Sequence, residues 1–221
     1  PQAVADDGVD GLAQVFTHWS TISGEKASML SSGDSALIMP AKVILYIAST
    51  LDGYIAGPDG EMDWLLSYED GGHGYEELVE RTGALAMGSG TYAFFDQGED
   101  WAYPGMPTWV FTSRQLETFE GADIHFTDRS PAEVIDEIRE AAGGKDVWLV
   151  GGGILVAQFL RDGLIDEIQH FVVPKALVEG IPMFTEPVLD AFEIDEAKVW
   201  SSGIVELRYH PKKSGGDDET E

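Results

Sequence analysis

The sequence contains no cysteine, which excludes disulfides, thiolate metal sites and cysteine nucleophiles. It has little positive charge, because 13 Lys and Arg residues stand against 40 Asp and Glu residues. It also lacks any apolar run of the roughly 18–20 residues that cross a membrane, and it shows no basic leader followed by an apolar core. These absences predict a cytoplasmic protein with no membrane partner.

The formal net charge of −27 restricts the partners that the protein can bind. A strongly acidic surface repels the phosphate backbone, so we expect no nucleic-acid partner. Two interpretations of the acidity stay open. One is ordinary solubility, and the other is adaptation to high salt, in which ions screen the repulsion between like charges.

Several catalytic motifs are missing as well. The sequence has no G-x-x-x-x-G-K-[ST] phosphate loop, no H-E-x-x-H zinc motif and no G-x-S-x-G serine-hydrolase turn. Its five histidines lack the spacing of metal ligands, so no metal is expected. Phosphoryl transfer by a P-loop, zinc chemistry and the main type of serine hydrolysis are thereby disfavoured.

Composition divides the chain into three parts. Residues 41–211 have the apolar content and the regular pattern of one folded domain. Residues 1–40 form an extension in which four large apolar residues fall at helical spacing. Residues 212–221 form an acidic, glycine-containing tail that we expect to be disordered.

Strand and helix patterns alternate along the central domain. Lys42–Ser49 is a continuous apolar run typical of a strand buried on both faces. Five more strands are predicted, at 84–88, 108–113, 123–128, 146–151 and 166–173. Helices are predicted at 74–83, from Pro131 (after the N-cap Ser130) to Gly143–Gly144, and at 153–163. With a hairpin at 197–210, the pattern predicts a three-layer α/β/α domain, a mostly parallel sheet ending in an antiparallel hairpin.

Four segments carry small or polar residues where predicted strands end. They are Ile47–Trp64, Ala86–Tyr92, Val110–Arg114 and Trp148–Gly153, the last with three consecutive glycines before a helix. In open α/β sheets, ligands bind in the crevice outside the carboxyl ends of the strands. Glycines let a large flat ligand approach the backbone, and helix N-termini supply N–H donors for phosphate. Together the four segments predict a dinucleotide site at this edge of the sheet.

The order of these segments resembles the dihydrofolate-reductase-like superfamily, and within it the RibD C-terminal family of riboflavin-biosynthesis reductases. The resemblance covers roughly residues 41–210. It rests on the strand end Ala48–Gly53, on Trp64 after its loop, on the glycine triplet, and on the passage Ala157–Pro174. The resemblance implies a dihydrofolate-reductase-like fold that binds NADPH.

Family resemblance also implies where the cofactor lies. Its pyrophosphate would pack against the backbone of Val150, Gly151, Gly152, Gly153 and Ile154. The nicotinamide and its ribose would be bordered by the side chains of Ala48 and Trp64.

The remaining cofactor contacts are implied at two other strand ends. Gly88 and Thr91, which we expect to open a helix, would contact a cofactor phosphate. Ser113 and Arg114 would lie near the adenosine 2′-phosphate.

Asp52 and Asp63 are the acidic residues nearest the implied chemistry. Hydride transfer to a C=N or masked carbonyl group leaves an anion that needs a proton. Either carboxylate is therefore a candidate to orient the substrate or to relay that proton. The alternative for Asp52 is a turn residue before Gly53.

Three departures from the family pattern leave the cofactor and the substrate open. Ser89–Gly90 replaces a basic pair, so Arg114 alone would select NADPH and NADH stays possible. Val150 stands where riboflavin reductases tend to have Glu. The acidic, aromatic segment Phe94–Pro107 contains no cation to hold a sugar phosphate.

The sequence thus predicts an NADPH-dependent reductase of a pyrimidine or pteridine-like heterocycle, of the 5-amino-6-(5-phosphoribosylamino)uracil reductase type. Trp101, Tyr103 and Trp109 could stack on such a ring, with core packing as the alternative for Trp109. A dihydrofolate reductase and a non-catalytic nucleotide-binding protein are the other hypotheses. By analogy with the family we expect a homodimer.

Overall fold

The computed structural model describes residues 41–212, except residues 67, 69–72, 96–99 and 188–191. The predictions for the extension 1–40, for nearly all of the acidic tail and for part of the segment Phe94–Pro107 lie outside the described residues. Among those that are described, no helix is long and apolar enough to span a membrane.

The described residues form ten strands and five helices. The strands are β1 (Val43–Thr50), β2 (Tyr54–Ala56), β3 (Thr82–Gly88), β4 (Thr108–Phe111), β5 (Ile124–Thr127), β6 (Asp146–Gly151), β7 (Glu167–Val173), β8 (Ile181–Pro182), β9 (Phe192–Val199) and β10 (Val205–Pro211). The helices are α1 (Asp63–Leu66), α2 (Tyr75–Arg81), α3 (Ser89–Tyr92), α4 (Pro131–Ala141) and α5 (Gly153–Arg161).

Eight of these strands form one sheet in the order β5-β4-β3-β6-β1-β7-β10-β9. The first six run parallel, and β10 pairs antiparallel with both β7 and β9. The predicted mostly parallel sheet with an antiparallel hairpin is therefore confirmed. β9 begins earlier in the chain than the predicted hairpin. It is an edge strand exposed along nearly its whole length, so its sequence lacks the apolar alternation from which a strand is predicted.

Helices cover both faces of the sheet. On one face, Ile138 of α4 and Phe159 of α5 are fully buried with Leu149 of β6. On the other face, Leu78 of α2 packs in a cluster with Trp148 of β6. Burying each large side chain contributes roughly 1.5–3 kcal/mol, so both clusters stabilise the predicted three-layer arrangement.

Further details also differ from the sequence pattern. The two-stranded sheet of β2 and β8 was not predicted, because strands of three and two residues are too short to show a period. The helix α2 ends at Arg81, before the predicted stop at Gly83. A Cβ on Gly83 would collide with the carbonyl oxygen of Ala142, so this glycine serves close packing and not the end of a helix.

Candidate active site

A cleft of about 1380 Å³ runs along the carboxyl ends of the parallel strands. It is lined by a residue at or near the end of each of β1, β3, β4, β5 and β6, namely Ala48, Gly88, Phe111, Thr127 and Gly151. Small-molecule sites usually occupy about 300–1,000 Å³. The cleft therefore has room for a dinucleotide together with a second small molecule.

The glycine triplet lies on the floor of this cleft. Gly151 has a φ of +128°, a conformation that favours glycine, and a Cβ on Gly153 would collide with the carbonyl oxygen of Pro182. Gly152 differs, since the atom nearest to a Cβ there would be Thr91 Oγ1 at an ordinary 3.7 Å. Two of the three glycines are thus required by the fold, and the missing side chain of Gly152 keeps the floor bare.

The first turn of α5 presents its backbone to the cleft. Gly152 is the N-cap, and the helical ladder begins with the bond from the N–H of Val156 to the Gly152 carbonyl at 3.0 Å. The N–H groups of Gly153, Ile154 and Leu155 therefore have no acceptor within the helix, and all three residues line the cleft. A helix N-terminus of this kind favours an anion.

The end of the cleft above β4 and β5 is polar. Thr112, Ser113 and Arg129 line both the cleft and an adjoining pocket of about 630 Å³, which Arg114 also lines. Arg129 donates to the carboxylate of Glu137 at 2.8 Å. Arg114 makes a backbone bond to Thr112 Oγ1 at 3.0 Å.

The opposite end of the cleft, above β1 and β7, is aromatic. Tyr46, Trp148 and Phe171 line it, with ring centroids of Tyr46 and Phe171 4.7 Å apart. Tyr75 also lines it and donates its hydroxyl to that of Tyr103 at 3.3 Å. Burial raises the pKa of Tyr75 to about 12 and the pKa of Tyr46 well above its ordinary value, so both phenols stay protonated at neutral pH.

Most of the predicted cofactor residues line the cleft. They are Ala48, Gly88, Thr91, Ser113, Val150, Gly151, Gly152, Gly153 and Ile154. Thr91 does not open its helix as predicted, because α3 already begins at Ser89.

Asp52, Asp63 and Trp64 are not among the residues that line the cleft. Asp52 accepts hydrogen bonds from Thr50 Oγ1 at 2.6 Å and from the Val178 N–H at 2.7 Å, which hold the pKa of its carboxyl below the ordinary value. Asp63 is the exposed first residue of α1, and Trp64 is buried in the aromatic core. The geometry favours the turn-residue alternative for Asp52 and lends no support to either carboxylate as a catalyst.

The aromatic residues predicted to stack on a substrate lie elsewhere. Trp101 and Tyr103 belong to the same buried aromatic cluster as Trp148, and neither lines the cleft. Trp109 lines the adjoining pocket, where it stacks on His125 with ring centroids 4.4 Å apart.

Among the lining residues that were not predicted from the sequence, two groups bear on the site. Asp128, Arg129 and Ser130 follow β5, and the strand-end rule would have found them had it been applied to that strand too. His73 and Phe171 line the aromatic end, where no local pattern marks them, because their approach depends on the pairing of β1 with β7.

The fold and the cleft define a dihydrofolate-reductase-like α/β protein with a nucleotide-sized site at its strand ends. A family model, the RibD C-terminal domain, matches residues 41–205. The chain therefore belongs to the RibD C-terminal domain family.

Individual relatives agree with this assignment. An uncharacterised protein of Bacillus subtilis strain 168, YwjB, is 31% identical over 150 residues, which cover 67% of this chain and 85% of YwjB. A crystal structure from Shewanella sp. PV-4, assigned to riboflavin biosynthesis, has a TM-score of 0.68 and 29% identity, and the match covers 78% of this chain and 99% of that one. Dihydrofolate reductase from Enterococcus faecalis, complexed with NADP(H), shares the fold at a TM-score of 0.56 and 17% identity, covering 77% of this chain and 96% of that one.

Proposed function

We propose that this protein is an NADPH-dependent reductase that transfers hydride to a pyrimidine or pteridine-like heterocycle, of the 5-amino-6-(5-phosphoribosylamino)uracil reductase type. The observation that carries the proposal is the bare glycine turn at the N-terminus of α5, inside a cleft that continues into an aromatic end. Membership of the RibD C-terminal family supports it. A protein of the same fold binds NADP(H).

The pyrophosphate would lie on the N–H groups after Gly152, and the nicotinamide beside Ala48. β1 and β6 are neighbours whose register pairs Leu45 with Leu149, so three residues further along they reach Ala48 and Gly152. Neighbouring strands are about 4.8 Å apart. A nicotinamide attached to a pyrophosphate at Gly152 would therefore reach Ala48 without crossing another strand.

Ser113 and Arg114 would hold the adenosine 2′-phosphate at the polar end. The test is the ratio of NADPH to NADH affinity in Arg114→Gln, with Lys145→Gln as the control. Lys145 is exposed just before the start of β6, at the amino ends of the strands, whereas the cleft lies at their carboxyl ends. Its loss therefore removes the same charge from a distant place. We expect NADPH binding to weaken about tenfold in Arg114→Gln alone, with NADH unchanged, since a charge-assisted hydrogen bond is worth about 1.5–3 kcal/mol. Equal losses for both nucleotides would remove this assignment.

The substrate ring would stack in the aromatic end, against Tyr46, Trp148 and Phe171. Within the described lining of the cleft, the cations are Arg129 and Arg161, and Arg161 already pairs with Glu186 at 2.5 Å. Stacking therefore supplies more of the recognition at this end than charge does.

The reductase activity is tested by following NADPH oxidation at saturating cofactor. The assay compares no added substrate, 5-amino-6-(5-phosphoribosylamino)uracil and dihydrofolate, after NADPH and NADH binding has been measured by tryptophan fluorescence. We expect micromolar binding of NADPH and turnover with the pyrimidine. Turnover with dihydrofolate alone would make the protein a dihydrofolate reductase, and binding without turnover would make it a non-catalytic nucleotide-binding protein.

We also propose that the protein is a homodimer and that its acidity suits high salt. Ile194 and Val199 of the edge strand β9 are 59% and 74% exposed and offer apolar surface for association. Sedimentation at micromolar concentration tests the dimer, and a monomer would reject it.

Thermal melts at low and at molar salt test the adaptation to high salt, since equal stability in both would reject it.

A further inference from the structure

His73 lines the aromatic end of the cleft and is 2% exposed. It directly precedes Gly74, the N-cap of α2. Its φ of +43° is left-handed, a conformation that residues other than glycine rarely adopt. Conformations of this kind persist only where the surroundings impose them, and they cluster at functional sites.

Three parts of the fold hold this residue in place. From β1, the hydroxyl of Tyr46 donates to the His73 carbonyl at 3.2 Å. From the turn between β9 and β10, Ser202 Oγ lies 3.2 Å from His73 Nε2. The imidazole ring also contacts Trp200 and Phe171, with centroids 4.8 and 6.1 Å away. The side chain is therefore fixed in one position at the wall of the cleft.

Among the described residues, the other ionisable groups that line this end of the cleft are phenols. The hydroxyl of Tyr46 donates a hydrogen bond to the His73 carbonyl, and the hydroxyl of Tyr75 donates one to the hydroxyl of Tyr103. Burial raises the pKa of both phenols, that of Tyr75 to about 12. Tyr68 also lines the cleft, beneath the ammonium group of Lys175 at 5.3 Å from its ring.

The carboxylates of the described residues that line the cleft, Asp128 and Asp162, lie away from this end. Asp128 follows β5, which lies four positions from β1 in the sheet. At about 4.8 Å per strand this is a separation of about 19 Å. Asp162 lies beyond the last turn of α5, about 13 Å along the helix from Gly153.

We propose that His73 is the acid that protonates the substrate, a role that rests on the proposed reductase function. Bound NADPH would supply a hydride, with its electron pair, to the substrate carbon. The π electrons of the C=N or C=O group move onto the heteroatom, which takes a proton from the imidazolium of His73. NADP⁺ and the reduced substrate result, and solvent returns a proton to the imidazole.

Behind the imidazole ring, Trp200 connects His73 to a buried ion pair. Trp200, within the roughly 6 Å of a cation–π contact, donates its indole N–H to the buried Glu206 at 2.9 Å. Arg208 pairs with the same carboxylate at 2.8 Å, and Lys198 lies 3.5 Å from the centre of the Trp200 ring. The buried carboxylate behind Trp200 is thus already paired with Trp200 and Arg208.

His73→Gln tests the proposal, with His210→Gln as the matched control. His210 sits on β10 beside Asp195 and does not line the cleft. Single-turnover hydride transfer from NADPH to 5-amino-6-(5-phosphoribosylamino)uracil should fall at least 100-fold in His73→Gln, since general acid catalysis contributes about 10²–10⁴-fold. NADPH affinity should stay within about threefold, and His210→Gln should match the wild type. A His73→Gln rate within about threefold of the wild type overturns the proposal.

Two measurements on the wild-type protein need no substitution. The hydride-transfer rate should decline as rising pH removes the proton from His73, and a profile that is flat wherever the protein stays folded overturns the proposal. In proton NMR, addition of NADP⁺ and the pyrimidine should shift the His73 imidazole resonance and leave that of His210 in place. A His73 resonance that does not move would overturn the proposal, because it would show that the side chain does not contact the ligand.

The two proposals fail in different ways. If the wild type oxidises NADPH with neither the pyrimidine nor dihydrofolate, the reductase function is lost and this step with it. If the wild type reduces the pyrimidine and His73→Gln does so equally fast, the function stands and the proton donor lies elsewhere.

Discussion

Two turns of this protein look alike in the sequence and do different things. The buried strand β6 leads into Gly151–Gly153, and the buried strand β1 leads into the turn at Asp52–Gly53. The first turn forms the floor of the cleft. The second turns away from it, and the Asp52 carboxylate accepts backbone N–H groups of Leu177 and Val178.

The difference lies in the element that the chain enters after each turn. A nine-residue helix begins at Gly153, the last glycine of the triplet, so backbone N–H groups stay available at the strand ends. After Gly53 the chain enters β2, which pairs with β8. A glycine at the end of a strand therefore marks a ligand site only where a helix N-terminus faces the same edge. Substitutions at the two turns and in the loop that Asp52 contacts test that contrast.

The largest effect is expected for Gly153→Ala. Its Cβ would meet the carbonyl oxygens of Pro182 and Met183, and these backbone atoms cannot yield easily. We expect a loss of about 2–3 kcal/mol in the free energy of unfolding, measured in urea. Gly90→Ala is the control, because its Cβ would meet nothing within 4 Å. Equal stability of the two variants would contradict the close approach of β8 to the glycine turn.

Gly152→Ala should separate binding from folding. Its Cβ makes ordinary contacts within the protein but projects from the floor of the cleft. We expect NADPH affinity to fall at least tenfold, about 1.4 kcal/mol, with a loss of no more than about 1 kcal/mol in stability from the changed N-cap. Asp52→Asn is the comparison and should stay within about twofold of wild-type affinity. A larger loss in Asp52→Asn would reverse the assignment of the two turns.

Val178→Asn should stabilise the loop that Asp52 supports. Val178 has a φ of +72° and is 82% exposed, so a β-branched residue occupies a strained conformation with little packing in return. Asn tolerates this conformation, and we expect a gain of about 1 kcal/mol in urea unfolding. The same substitution at Val199, which is 74% exposed and is not among the residues with a positive φ, should give no gain. A similar gain at both positions would show that strain at Val178 is not the cause.

The smallest effect concerns the pH dependence of the Asp52 turn. Hydrogen bonds from Thr50 and from the Val178 and Leu177 N–H groups lower the pKa of Asp52 in the folded protein. The ionised carboxylate therefore adds stability at neutral pH, and this contribution is lost as the pH falls through the lowered pKa. In thermal melts, the advantage of the wild type over Asp52→Asn should be small at pH 7 and should vanish in strong acid. An advantage that persists at pH 2 would have another origin.

Part of the candidate site could be predicted from the sequence. Gly151, Gly152 and Gly153 could be placed at the strand ends because a continuous apolar run and a helix pattern flank them. Arg129 could have been placed by the same rule applied to β5. His73 could not, since it reaches the cleft through contacts with Tyr46 and with the turn between β9 and β10, far away along the chain.

By itself the sequence determined the layers of this protein, the parallel sheet and the helix that begins at the glycine triplet. These features follow from local periodicity, from capping residues such as Ser130, and from the continuous apolar runs of strands buried on both faces. Only the tertiary structure decided which strand ends share one cleft, why Gly153 must lack a side chain, and that Asp52 supports a loop. Those outcomes depend on contacts with Pro182 and Val178. Both residues are distant along the chain from the residues they contact, so no local sequence pattern predicts the contacts.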